Sequence, residues 1–193
     1  PPPASYMLYF AAVSSILSLG FVLLLKFTCM GLATPFLVFF AIELSYMQSF
    51  AFGAILVTVF ERAKAAATVC SLCSLFGCIQ PLLGLFAASG TLQLPSVAFY
   101  VIGLLPTVSL GCVLQGALSL EMPSAVADGT GITWKAGTGW QFGAHFFDTP
   151  PASVMHGEVT KNSLPSPGEA LLAQMLQTLI VALFAYWFDQ VYQ

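Results

Sequence analysis

The chain reads as long apolar runs broken at a few polar points. From Tyr6 to Leu25 no charged side chain occurs, and Lys26 follows, where its flexible amine reaches an aqueous boundary. Gly31 and Thr34-Pro35 then supply turn chemistry, so the next run starts antiparallel to the first. Residues 36–88 stay apolar apart from Glu43 and the cluster Glu61-Arg62-Ala63-Lys64. One straight helix of that length would measure ~80 Å against ~30 Å of bilayer hydrocarbon, so the chain must reverse at the charged cluster. The pattern predicts spans over residues 6–26, 35–60 and 65–88. Two of the basic residues sit in the reversal, which places that turn in the cytosol under the positive-inside tendency.

Residues 95–120 are apolar but carry Pro95, Gly103, Pro106, Gly111 and Gly116. Pro106 removes a backbone donor at the centre of the run, and broken backbone at membrane depth requires protein or a watery cavity around it. A re-entrant hairpin hinged near Pro106 is the expectation; a full but kinked span is the alternative. Residues 121–168 are rich in Gly, Pro, Ser and Thr and read as a long aqueous, non-cytosolic loop. Ser166-Pro167-Gly168-Glu169 has the form of a capping box, with Pro at the first helical position, and opens a last span over 170–188. The expected fold is an all-α membrane protein of about four transmembrane helices plus a re-entrant hairpin, one partial membrane domain over 1–193.

Composition supports membrane embedding: 58% of residues are apolar and 7% charged, against roughly 25% charged in a soluble domain. A net charge of −3 with five scattered basic residues offers no footprint for a phosphate backbone, so nucleic acid is not an expected partner. The start at Pro1-Pro2-Pro3 without a Met or signal-peptide pattern reads as a piece of a larger protein. Cys70, Cys73 and Cys78 form a CxxCxxxxC pattern, but inside an apolar run, where thiolates are desolvated, they read as packing residues rather than zinc ligands. A meeting of Cys29 and Cys112 on one aqueous side is compatible with the sequence, which does not establish a disulfide.

Glu43, well inside its run, is costly in hydrocarbon and must face a cavity, pair or hold a proton. With Gln48 it is a candidate for a substrate path; the simpler reading is an interface residue capped by Ser45 or Gln48. Glu61, Arg62 and Lys64 form either a cytosolic coupling turn, where a nucleotide-binding domain docks, or a purely topogenic one. His145, Asp148, His156 and Glu158 match no defined metal or acid–base spacing and read as a solvated loop. Gly129-Thr130-Gly131 and Gly137-Thr138-Gly139 follow no strand and open no helix, so they are not phosphate loops. Trp134, Trp140, Phe142, Phe146 and Phe147 make the loop aromatic, suited to lipid or to packing on an extracellular domain.

Five pieces of the chain, in order, resemble the membrane domain of subfamily A ABC transporters. They are Ser14-Ser15-Ile16-Leu17 through Leu23-Leu24-Leu25-Lys26, then Val59-Phe60-Glu61-Arg62-Ala63-Lys64-Ala65-Ala66-Ala67, then Leu104-Leu105-Pro106-Thr107-Val108-Ser109-Leu110-Gly111-Cys112. Gly131-Ile132-Thr133-Trp134 and the final Met175-Leu176 through Ala185-Tyr186-Trp187-Phe188-Asp189-Gln190-Val191-Tyr192 complete the set. Thr107 departs from the family, which more often has an aliphatic residue after the proline. The resemblance implies the last four of six spans of one half-transporter, with the hairpin between the fifth and sixth and both chain ends in the cytosol. It also implies a partner transmembrane half and nucleotide-binding domains using ATP and Mg2+ elsewhere, since no GxxxxGK[ST] loop occurs in these residues.

The functional expectation is therefore the membrane portion of an ATP-driven exporter of lipid or another amphipathic substrate, multi-pass in the plasma membrane or an organelle membrane. Its bilayer is its immediate partner; catalytic, cofactor and metal residues are not expected within the segment. The rivals are an ATP-independent carrier or channel using Glu43, an intramembrane enzyme using His145 or His156, and a structural membrane subunit.

Overall fold

The computed structural model describes residues 3–60, 63–88, 95–128, 131–143, 145–150, 153–155, 158–160 and 164–192. In chain order these form α1 (Pro3–Thr28), α2 (Pro35–Val59), α3 (Ala63–Ala88), α4 (Ser96–Ile102), α5 (Pro106–Glu121) and α6 (Pro167–Tyr192). Between α5 and α6 lie β1 (Ser124–Asp128), β2 (Gly131–Lys135), β3 (Ser153–Met155) and β4 (Glu158–Thr160). Three stretches among the described residues are long and apolar enough to cross a membrane: Leu8–Thr28, Pro35–Val59 and Pro167–Val191. They correspond to the spans expected over 6–26, 35–60 and 170–188. Residues expected over 65–88 are helical as α3. Of the charged reversal, Glu61 and Arg62 lie outside the described residues, and Lys64 is exposed in the first turn of α3.

The prolines set where the helices start. Pro35 and Pro106 open α2 and α5, preceded by Thr34 and Leu105 in extended conformations (ψ 117° and 125°). A pyrrolidine ring disfavours helical backbone in the residue before it and lacks only a donor that the first turn leaves unused. At α6 the capping box forms as the sequence predicts. Glu169 N donates to Ser166 Oγ at 3.2 Å, and Ser166 N donates to Glu169 Oε2 at 3.2 Å.

α2 is the central helix, packed against α6, α5, α1 and α3. Its buried residues Leu37, Val38, Ala41, Ile42, Ser45 and Gln48 recur at helical spacing. Ala41 is small enough for Gln174 of α6 to reach its carbonyl, Nε2 donating at 3.1 Å. On the outside, α1 and α6 leave Leu17, Leu24, Leu179 and Leu183 exposed, an apolar surface of the kind that lipid covers.

One end of the bundle is knitted together by backbone groups. Lys26, which ends the first apolar run, donates from Nζ to the carbonyls of Gly31 and Ala33 at 2.6 and 3.0 Å. The Glu121 carboxylate, at the end of α5, accepts from Leu32 N at 2.9 Å and Ala33 N at 2.5 Å. Thr34 N donates to the Trp140 carbonyl at 2.8 Å, and Trp140 is fully buried. Gly139, just before it, has φ +69°, and a Cβ there would run into Leu32; both facts exclude a side chain at that position.

Two expectations are corrected. The segment 121–168 is not simply a loop: β1 pairs antiparallel with β2 from Ser124↔Lys135 to Asp128↔Gly131, and β3 pairs with β4 from Ser153↔Thr160 to Met155↔Glu158. The helical architecture thus carries two small β-hairpins at one end. The stretches 129–131 and 137–139, read as following no strand, come directly after β1 and just after β2, and Gly131 itself begins β2. Cys29 and Cys112 do not meet, because Cys29 is exposed at the end of α1 whereas Cys112 is buried inside α5; both are free thiols.

Candidate functional site

The site built by this fold is the break between α4 and α5. A helix that stops inside a bundle strands carbonyl groups that water cannot reach. Here the turn's own backbone takes some of them: Gly103 N donates to Phe99 O at 2.9 Å, Leu104 N to Val101 O and Leu105 N to Ile102 O at 3.2 Å each. Val108 N and Ser109 N both reach Leu105 O. The carbonyls of Tyr100, Gly103 and Leu104 are left over, and side chains from two neighbouring helices supply their donors. Gln48 Nε2 of α2 donates to Gly103 O at 3.3 Å and Leu104 O at 3.1 Å. Gln177 Nε2 of α6 donates to Tyr100 O at 2.6 Å. Primary amides suit this task because one nitrogen carries two donors without a charge to desolvate.

The hydroxyls complete the arrangement. Ser109 Oγ lies 2.9 Å from both Gln48 Oε1 and Pro106 O, its single proton divided between them. Ser45 Oγ donates to Pro106 O at 3.2 Å. Gln48 is fully buried, with Ser109 and Ser45 nearly so. The structure thus brings Gln48 and Pro106, singled out in the sequence for separate reasons, into one cluster. A cavity of about 10 Å³ adjoins it, lined by Gly103, Ser109, Cys112 and Gln177 among others. That is room for one water at most. The buried Oε1 of Gln177 has no partner among the described residues, and one water there would supply it.

Glu43 lies apart from this cluster. Ser14 Oγ of α1 approaches Glu43 Oε2 at 3.2 Å while also lying 3.0 Å from the Ala11 carbonyl. The expected caps, Ser45 and Gln48, are turned to the hinge instead. Glu43 Oε1 and Ser18 Oγ, one turn beyond Ser14 on α1, are buried without protein partners among the described residues.

In the outer segment His145 Nδ1 and Asp148 Oδ2 lie 2.8 Å apart with both side chains about 40% exposed, a surface pair. His156 lies outside the described residues, as do Gly129 and Thr130. Among the described residues no three His, Cys, Asp or Glu side chains are grouped to hold a metal ion. The aromatic residues divide: Trp140 is buried, whereas Trp134, Phe142 and Phe147 are exposed.

Sequence reasoning missed Gln177, Gln174 and Gln80, the last donating to Gln115 Oε1 at 3.0 Å between α3 and α5. Their signal was available: each is an uncharged polar side chain within an apolar helix, where it must find a partner. Glu121 was missed too, although a lone carboxylate ending an apolar run is well suited to bind free backbone N–H groups. No family model matches the chain, and no curated protein sequence matches it.

Proposed function

We propose that the chain is the membrane-spanning part of an ATP-driven exporter of the subfamily A type, moving lipid or another amphipathic molecule between leaflets. The observation that carries this reading is the α4–α5 break. At 1.5 Å per residue α2 is ~37 Å long, and Gln48 stands ~20 Å from its start at Pro35. The tip held by Gln48 therefore lies about halfway along the helix, while α5 returns to the Leu32–Ala33 turn where α2 begins. A hairpin that enters to mid-depth and leaves by the same end is what the ordered resemblance implies between the fifth and sixth spans. α3, 26 residues with Lys64 as its one charged side chain, serves as the fourth span beside α1, α2 and α6.

An apolar groove of about 390 Å³ between the end of α2 and the start of α3, lined by Gly53, Leu56, Val57, Phe60, Ala66, Ala67 and Cys70, suits an acyl chain. Its neighbour Lys64 belongs to the turn assigned to the cytosolic side, opposite the segment 121–168. ATP and Mg2+ act on nucleotide-binding domains elsewhere in the protein, and a second transmembrane half completes the path.

The test is ATPase activity and fluorescent-lipid translocation by the full-length protein in proteoliposomes, with Arg62→Ala and Glu43→Gln beside wild type. Lipid-stimulated, vanadate-sensitive turnover coupled to translocation is expected. Flux that continues without ATP and falls in Glu43→Gln would replace this reading with an ATP-independent carrier or channel.

A further inference from the structure

Five phenylalanine rings form a continuous row from a spanning helix out onto the segment that follows α5. Phe40 and Phe36 of α2 are 6.3 Å apart, Phe36 and Phe142 6.1 Å, Phe142 and Phe146 6.2 Å, and Phe146 and Phe147 4.8 Å between ring centroids. The row is rigidly backed. Phe146 stacks on the buried Trp140 at 6.0 Å, and its carbonyl presses against Gly168, where a Cβ would have no room. Trp140 in turn is tied to the start of α2 through Thr34 N. The outer faces are open: Phe36 is 61% exposed, Phe142 59% and Phe147 56%.

From this continuity we infer that Phe36, Phe142 and Phe147 form an interfacial anchor, seated in the boundary between lipid headgroups and acyl chains. Phe36 is the second residue of Pro35–Val59, a helix long and apolar enough to cross a membrane, and so stands at the end of that apolar stretch. Phe142 is in ring contact with it, and Phe146 carries the same surface on to Phe147. Aromatic rings settle at this boundary, where their apolar faces leave water without entering the hydrocarbon centre. The polar neighbours fit the same level: the His145–Asp148 pair occupies the same turn and lies exposed beside Phe147. A soluble partner domain would be a different occupant, but the row begins on a lipid-spanning helix rather than on a separate surface. The inference rests on membrane embedding alone and is independent of ATP-driven export.

The experiment places p-benzoyl-phenylalanine singly at Phe142, at Phe147 and, as a buried control, at Val113 of the full-length protein in palmitoyl-oleoyl-phosphatidylcholine vesicles. Ultraviolet crosslinking followed by mass spectrometry is expected to give phospholipid adducts at 142 and 147 and none at 113. Crosslinks to polypeptide at 142 and 147 would overturn the inference in favour of a protein docking surface; absence of any adduct there would overturn it in favour of water. The unmodified protein supplies a second reading that no misfolded variant can confuse. Hydroxyl-radical oxidation of Phe142 and Phe147 in the same vesicles is expected to be lost, as at buried Val113, whereas oxidation matching that of exposed loop residues would refute the anchor.

Discussion

Gln48 on α2 and Ser109 on α5 hold each other at 2.9 Å, and the same glutamine spends its two donors on the carbonyls of Gly103 and Leu104. Replacing it with leucine strands two buried carbonyls, at a cost on the order of 1–3 kcal/mol for each that finds no water, while Ser109 Oγ keeps the Pro106 carbonyl as its acceptor. Gln48→Leu should lower the thermal midpoint of the detergent-solubilised protein well below that of Gln115→Leu, whose partner Gln80 also has Cys112 within reach. Equal midpoints would mean that the break does not depend on Gln48.

Glu121 binds two backbone N–H groups of the turn between α1 and α2. Hydrogen bonds to a charged acceptor contribute ~1.5–3 kcal/mol. Glu121→Ala should therefore speed amide hydrogen exchange in peptides covering residues 29–34, with Glu121→Gln intermediate because one acceptor oxygen remains. Unchanged exchange in that peptide would show that the carboxylate is not what orders the turn.

The capping box of α6 is testable by a double-mutant cycle. Ser166→Ala removes an N-cap and should destabilise by ~0.5–2 kcal/mol, with the upper part of the range expected because Ser166 is 1% exposed. Adding Glu169→Ala should cost less than it does in the wild type, since the two residues serve each other. Strict additivity in chemical denaturation would count against reciprocal capping.

Glu43 predicts the opposite sign. Its Oε1 is buried without a partner among the described residues, and removing an unsatisfied polar group together with its desolvation cost is neutral or stabilising. Glu43→Leu should melt at or above the wild-type temperature. A fall of several degrees would reveal a partner, proton or ion that the carboxylate holds.

Elements written in neighbouring residues were legible from the chain. Ser166-Pro167-Gly168-Glu169 encodes both halves of a cap within four positions, and the Leu105-Pro106 step marks the point where α5 opens. Partners far apart in sequence were not. Gln48 is recognisable as a polar side chain in an apolar run, but the groups it serves lie 55 and 56 residues away and belong to the backbone, which has no signature of its own.

The β-hairpins were hidden for a related reason. Ile132-Thr133-Trp134 has the branched and aromatic character of a strand, but Gly and Thr flank it on both sides, and strands of three to five residues leave little periodicity to detect. Ser45 does not cap Glu43 because residues two apart on one helix do not face each other; Ser14 of α1 approaches it instead, and an apolar run does not specify which face of a neighbouring helix it meets.

α5 is fastened twice. Its first turn is locked to the middle of α2 through Ser109 and Gln48, and its last residue, Glu121, grips the turn that leads into α2. Two fixed points define a strut, so α5 cannot tilt or slide without carrying α2 along. α6 belongs to the same joined unit, tied to the Ala41 carbonyl by Gln174 and to the Tyr100 carbonyl by Gln177.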